Sequence, residues 1–213
     1  MKSILVKLSS LAACTMGLVL ATPASADAIP YPTAGIANPV TYTFTAANTG
    51  DVIAYFYGQS ASYGSMIGLS INGAAPAVFG LQNHMSGYGA SFNMGSVNMG
   101  DTLRFILDVS TSNGYGPPVS DYQLNSDASL NAGGENFVYS TGFSGDAWIP
   151  VGTYIGFEDI APLSGGDRDY NDHQFVFTNV KTDTHTVPDA TSTLALMGLA
   201  TAGLLAVRRR VAA

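Results

Sequence analysis

The residues best equipped for chemistry lie in one stretch, GFEDIAPLSGGDRDYNDHQFVF from Gly156 to Phe177. There Glu158, Asp159, Asp167, Asp169 and Asp172 fall within fifteen positions beside a single basic residue, Arg168. Five carboxylates brought together repel one another unless a cation or hydrogen-bond donors intervene. Asp167, Asp169 and Asn171 alternate, so a loop can turn three oxygen-bearing side chains towards one point, and hard oxygen ligands suit a hard cation such as calcium. The candidate metal ligands are therefore Glu158, Asp159, Asp167, Asp169, Asn171 and Asp172, with calcium as the candidate cofactor. A blander reading makes the Asp and Asn residues caps of a tight turn, pairs Arg168 with one acid and packs Tyr170 inward. The sequence leaves both open.

The spacing is only half that of an EF-hand loop. That pattern needs Gly at its sixth position, where this chain has Asp172, and Glu at its twelfth, where it has Thr178. A site of another kind forms if Glu158 and Asp159, ending one strand, approach Asp167, Asp169 and Asp172 at the start of the next. Catalytic constellations are scarce: there is no G-x-S-x-G elbow, no H-E-x-x-H and no phosphate-cradling loop. His84, His173 and His185 have no zinc-ligand spacing. Glu158 with Asp169 could serve a glycosidase, but any acidic protein passes that test, so no enzymatic activity is expected. The rival to an ion site is carbohydrate binding through exposed aromatics. Loop residues Tyr115 and Tyr122 are the candidate ligand contacts, whereas strand tyrosines serve packing more often. In Tyr55-Phe56-Tyr57, alternation puts the two tyrosines on the face opposite Phe56.

The elements that must position these residues read as strands. Runs of five to eight apolar and β-branched residues, separated by Gly, Asn, Asp and Pro, predict an all-β domain and a jelly-roll-like two-sheet sandwich. The predicted strands are 40–46, 51–57, 66–71, 77–81, 91–97, 102–109, 136–139, 154–158 and 174–181. Asn72-Gly73 is a type I′ hairpin signal, and the first strands are read as hairpins. Asn48-Thr49-Gly50-Asp51 is echoed by Asn98-Met99-Gly100-Asp101, which reads as one turn chemistry used twice rather than as a duplication. The stretch 110–134, with Gly114, Gly116, Pro117 and Pro118, reads as a long surface loop.

Charge separates the middle of the chain from its ends. Five of the eight basic residues are Lys2, Lys7, Arg208, Arg209 and Arg210, which leaves three basic residues against fourteen acidic ones in 27–186, a net of −11. Nothing there can neutralise phosphates, so nucleic acid is excluded as a partner. All 22 aromatic residues also lie in that segment, which supplies a core and argues against disorder. Cys14, the single cysteine, excludes a disulfide framework.

Residues 1–26 read as a secretory signal peptide, with Lys2 and Lys7, an apolar run 8–21, and Ala24-Ser25-Ala26 as the cleavage site. Leu11-Ala12-Ala13-Cys14 offers a lipoprotein alternative. At the other end 191–207 is a 17-residue run without charge, followed by Arg208-Arg209-Arg210. At 1.5 Å per residue that run spans about 25 Å, enough for a membrane helix whose arginines stay cytoplasmic.

Val187-Pro188-Asp189, the apolar helix and the arginine cluster together resemble the PEP-CTERM sorting signal of Gram-negative exported proteins. That resemblance implies recognition by an exosortase-type processing enzyme, a membrane-tethered precursor and a final place at the cell surface or outside it. The family's tripeptide is Pro-Glu-Pro, where this chain has Pro188-Asp189-Ala190. Phe157-Glu158-Asp159 followed by GGDRDYND is similar to the C-terminal signature of a domain of unknown function in exported bacterial proteins, which often carry the same sorting signal. The section up to Val109 is similar to the ectodomain commonly paired with such signals. The resemblance implies a surface or matrix protein of unestablished activity and supplies no catalytic residue; the acidic, Gly-rich composition suits a structural or adhesive role in association with extracellular polysaccharide in the presence of divalent cations. The expected organisation is a signal peptide (1–26), a β-sandwich ectodomain (27–186) and a sorting segment (187–213).

Overall fold

A computed structural model describes residues 29–111 and 120–186. The expected signal peptide, the sorting segment with Val187, Pro188, Asp189, Arg208, Arg209 and Arg210, and Tyr115 lie outside the described residues. Among the described residues no helix is long and apolar enough to cross a membrane.

The chain is all-β. Its strands are β1 (Val40–Ala46), β2 (Gly50–Gly58), β3 (Gly64–Ile71), β4 (Phe79–Gly80), β5 (Ser91–Val97), β6 (Thr102–Ser110), β7 (Tyr122–Asn125), β8 (Val138–Phe143), β9 (Gly152–Phe157), β10 (His173–Phe177) and β11 (Val180–Thr186). Helical structure among the described residues is limited to single 3₁₀ turns. Two antiparallel sheets form, one ordered β11-β1-β6-β3-β4 with β7 also on β6, the other β5-β2-β10-β9-β8.

Alternation decides which side chains meet between the sheets. In β1, Tyr42, Phe44 and Ala46 turn inward, and in β2 Val52, Ala54 and Phe56 do the same. Phe105 of the first sheet lies 4.1 Å, centroid to centroid, from Phe177 of the second, and Phe44 meets Phe105 edge-on at 5.3 Å. Dispersion and the removal of apolar surface from water thus join the sheets.

Strand β10, HQFVF, is buried at every position instead of alternating. The reason is a second apolar cluster on the outer face of its sheet, made by Ile29, Phe143, Ile149, Tyr154 and Val176 with Tyr55, Tyr57 and Tyr139 against it. A central strand covered on both faces reads as a continuous apolar run.

Three departures from the sequence reading have local causes. The first strands do not pair as a hairpin: Asn48–Asp51 carries the chain from β1 in one sheet to β2 in the other, and Asn98–Asp101 makes the reverse crossing from β5 to β6. These two matching turns are neighbours, with Ala46 N–H donating to Asp101 O at 2.9 Å and Met99 N–H to Thr49 Oγ1 at 3.1 Å. The predicted strand 174–181 is two strands, broken where Asn179 takes φ 62 and sends β11 to the other sheet. The predicted loop 110–134 contains β7, which pairs with β6 from Ile106↔Asn125 to Val109↔Tyr122. At Asn72-Gly73 both residues take positive φ, 51 and 82, and Ala74 N–H closes the turn onto Ile71 O at 3.0 Å.

Candidate functional site

Strands β9 and β10 are neighbours, with Phe157 opposite His173. That register puts both ends of the acidic motif side by side and makes 158–172 a loop closed on itself. Asp172 N–H donates to Phe157 O at 3.1 Å, and Asp159 N–H donates to Asp172 Oδ2 at 3.0 Å. Strand β2 ends beside β10, Gly58 opposite Gln174, so the residues after it reach the same end of the molecule. Ser60, Ser62 and Tyr63 accordingly join Asp159, Ile160, Gly165, Gly166, Asp167 and Asp172 around a cleft of about 460 Å³.

The loop is held from outside at several points. Tyr170 is fully buried; its hydroxyl accepts from Asn38 N–H at 2.8 Å and donates to Asn136 O at 3.3 Å. Leu163 is buried and its N–H donates to Glu135 Oε2 at 3.0 Å. Gly35 N–H donates to Asp167 O at 2.6 Å. Between these anchors Arg168 and Tyr170 both take φ 59, the left-handed region that side chains beyond glycine enter at a cost. This backbone aims two amides at one carboxylate: Glu158 Oε1 accepts from Tyr170 N–H at 2.6 Å and Oε2 from Arg168 N–H at 3.2 Å. Two glycines permit the approach. A Cβ on Gly166 would sit 2.4 Å from Glu158 Oε2, and one on Gly156 would sit 2.2 Å from Tyr170 O.

The acids gather in two groups. Carboxylate oxygens of Glu158, Asp167 and Asp169 lie within 4.8 Å of one another. Oxygens on opposite sides of one calcium are separated by about 5 Å, twice a Ca–O bond, so this spacing suits a single ion. Asp159 and Asp172 form the second group, joined by the Asp159 N–H that donates to Asp172 Oδ2. Asp159 Oδ2 is buried and meets no hydrogen-bond donor, in a residue only 2% exposed. Asn171 lies against Asp169. Its side-chain amide and its N–H both donate to Asp169, and its carbonyl accepts from Gln174 Nε2 at 2.7 Å.

Arg168, the basic residue of the loop, makes no ion pair with these acids. Arg168 donates through Nε to Leu163 O at 3.3 Å and through Nη1 to Gly35 O at 3.2 Å, both neutral carbonyls. The ion pair found among the described residues, Lys181 with Asp183, lies on the exposed edge strand β11. Burial therefore raises the acids, and the backbone N–H groups of Tyr170, Arg168 and Asp159 offset it only in part. Desolvation, then the charges of Asp172 and Asp167, push the Glu158 carboxyl up to about 7. Burial likewise lifts Asp172 to about 7, with Asp159 as the next cause, and Asp159 to about 6. Asp169 is also raised, by burial first and by Asp167. A carboxylate held above its ordinary range is short of positive charge or donors, which is what a divalent cation supplies.

The remaining candidates fall elsewhere. Tyr122 is half-buried against the main core and its hydroxyl donates to Asp159 O, so it supports the acidic loop from behind. His173 is fully buried against the rings of Phe175, at 4.2 Å, and Phe56, at 5.7 Å. Burial holds its imidazole down at about 3, so it is a neutral core residue. The sequence reading missed an exposed aromatic on the 144–151 turn, Trp148. Its signal was there: a lone tryptophan flanked by Asp146 and Pro150 in a turn-like stretch.

Compared with known proteins, the chain matches no family model, no curated sequence and no solved structure, so its function is argued from the site itself.

Proposed function

We propose that this is an exported protein of the cell surface or extracellular matrix with a structural or adhesive role, whose jelly-roll-like sandwich holds calcium in the β9–β10 loop. The observation that carries the ion reading is the crowding of Glu158, Asp159, Asp167, Asp169 and Asp172 in one loop, three of them lining the cleft, with no ion pair to Arg168 and one buried carboxylate oxygen facing no donor at all. Export, a membrane-tethered precursor and an exosortase-type processing enzyme are inferred from the two chain ends, 1–26 and 187–213. Calcium in this role is a structural clamp. It neutralises acids that would otherwise push 158–172 open, and it fixes the surface that faces extracellular polysaccharide.

The test is thermal unfolding of the purified protein with calcium and with chelator. An ion bound only by the native state raises the midpoint; at a hundredfold excess over Kd the gain is about 2.7 kcal/mol, on the order of 5–10 °C for a domain of this size. Asp167→Asn with Asp169→Asn removes the shift. An unchanged midpoint at millimolar calcium contradicts the reading.

A further inference from the structure

The turn between β8 and β9 does something apart from the acidic loop. Asp146 organises it: Oδ1 accepts from Trp148 N–H at 2.7 Å and Ile149 N–H at 2.8 Å, while Asp146 N–H donates to Ile149 O at 2.8 Å. Ile149 is fully buried in the outer-face cluster and acts as an anchor. Tyr88 braces the turn from the other side, its hydroxyl donating to Asp146 Oδ2 and its ring meeting Tyr57 at 5.7 Å. Gly89 packs against the base of the tryptophan; a Cβ there would come within 3.1 Å of Trp148 Cβ. The result is a rigid support under an indole that is 75% exposed, beside Tyr88 at 44%.

Leaving a tryptophan in water forgoes roughly 2 kcal/mol or more of burial. The chain spends a three-bond turn, a buried anchor and a braced tyrosine to hold it there, so the ring is pre-organised for a partner and little ordering entropy is lost on contact. Charge narrows the partner. Segment 27–186 carries a net of −11, Asp146 sits on the rim, and neither 82–90 nor 144–151 contains Lys or Arg, so an anionic chain is repelled. A flat, neutral partner with weakly polarised C–H groups on one face and hydroxyls on its edge fits. The C–H face meets the negative π-face of the ring, and the hydroxyls donate to lone pairs left on Asp146.

We propose that Trp148, flanked by Tyr88 and Asp146, is a stacking platform for the pyranose rings of a neutral polysaccharide. The platform uses no residue of the β9–β10 loop, so it stands or falls separately from the calcium reading and is tested in chelator. Trp148 is the single tryptophan of the chain, and its emission reports contact directly. The full chain is titrated with hydroxyethylcellulose, laminarin and dextran, with alginate as the anionic control, and run in gels containing each polymer. The expected result is a blue shift and retarded migration with at least one neutral glucan and with alginate neither. Trp148→Ala weakens retardation by about tenfold or more, and Trp148→Tyr restores part of it. No response to any neutral glucan, undiminished retardation of the Trp148→Ala chain, or a blue shift produced by raising the protein's own concentration overturns the proposal. The last outcome assigns the patch to self-association instead.

Discussion

The two ends of the molecule use the same residue type to opposite effect. At the β1–β2 and β5–β6 crossings, Asp51 accepts from Asn93 Nδ2 and Ser96 Oγ, and Asp101 from Asn72 Nδ2 at 2.9 Å and Asn98 N–H at 2.7 Å. Asp51 is exposed and Asp101 half-buried, and these bonds hold their carboxyls below the ordinary range, Ser96 acting first on Asp51 and Asn72 first on Asp101. At the β9–β10 end, Glu158 and Asp159 are buried and Asp172 is half-buried; all three face other acids and are held above it. An aspartate surrounded by donors stabilises its own turn, whereas one surrounded by carboxylates is destabilising until a cation arrives. Acid count alone does not distinguish the two cases; the location of the donors does.

The largest expected effect is steric and confined to the second end. Gly156→Ala pushes a methyl group into Tyr170 O, and the backbone must shift to accept it. A loss of about 3 kcal/mol or more, read by denaturant unfolding, is expected together with loss of any calcium response. Normal stability in that variant would mean that the loop does not lie against β9 as described.

Asp172→Asn comes next and reverses the usual sign. In chelator at pH 8 it removes a carboxylate that burial and Asp159 disfavour, so stability rises by on the order of 2 kcal/mol, while the calcium-dependent gain disappears. Asp101→Asn, at the other end, lowers stability by a smaller amount and leaves the calcium response intact, because it loses only bonds that hold a turn. Matching behaviour of the two variants would erase the contrast between the ends.

The pH dependence without calcium draws on all three acids together. Glu158, Asp159 and Asp172 have folded-state values raised from the ordinary 4 or so to about 6 and 7, so the native state binds more protons than the unfolded one across that interval. Stability in chelator therefore falls as pH rises from about 4 to 7. Asp51 and Asp101, held low, contribute stability that is present above their unfolded values and is lost as acid protonates them below about pH 4. A midpoint measured from pH 3 to 8 passes through a maximum near pH 4–5. With saturating calcium the decline above it flattens.

Local pattern carried much of the fold. VTYTFTA and SFNMGSV became β1 and β5 with the boundaries that alternation implies, since each needs only one face buried. Partner choice was not legible, because Asn48–Asp51 reads equally as a hairpin turn or a crossing between sheets, and distant strands decide which. Strand β7 was hidden by its length of four residues and by the Gly- and Pro-containing stretch before it. At the site, the spacing of Asp167, Asp169 and Asn171 suggested three convergent oxygens. The hydrogen bonds within the turn hold Asn171 on Asp169, and Glu158, expected to approach from the end of the preceding strand, supplies the third carboxylate. Spacing cannot reveal that exchange, which depends on Arg168 and Tyr170 taking left-handed backbone. Trp148 was passed over because a residue's exposure follows from how its turn is anchored, here by Asp146 and Ile149.

Closure of the β9–β10 loop around calcium can be read by isothermal titration of the chelator-treated protein with calcium at pH 6 and pH 7.5. Saturable binding is expected, tighter at pH 7.5, with protons released at pH 6 as Glu158, Asp159 and Asp172 ionise, and no binding once Asp167 and Asp169 are both asparagine. Absence of saturable heat up to millimolar calcium, or binding that survives the double substitution, would contradict it.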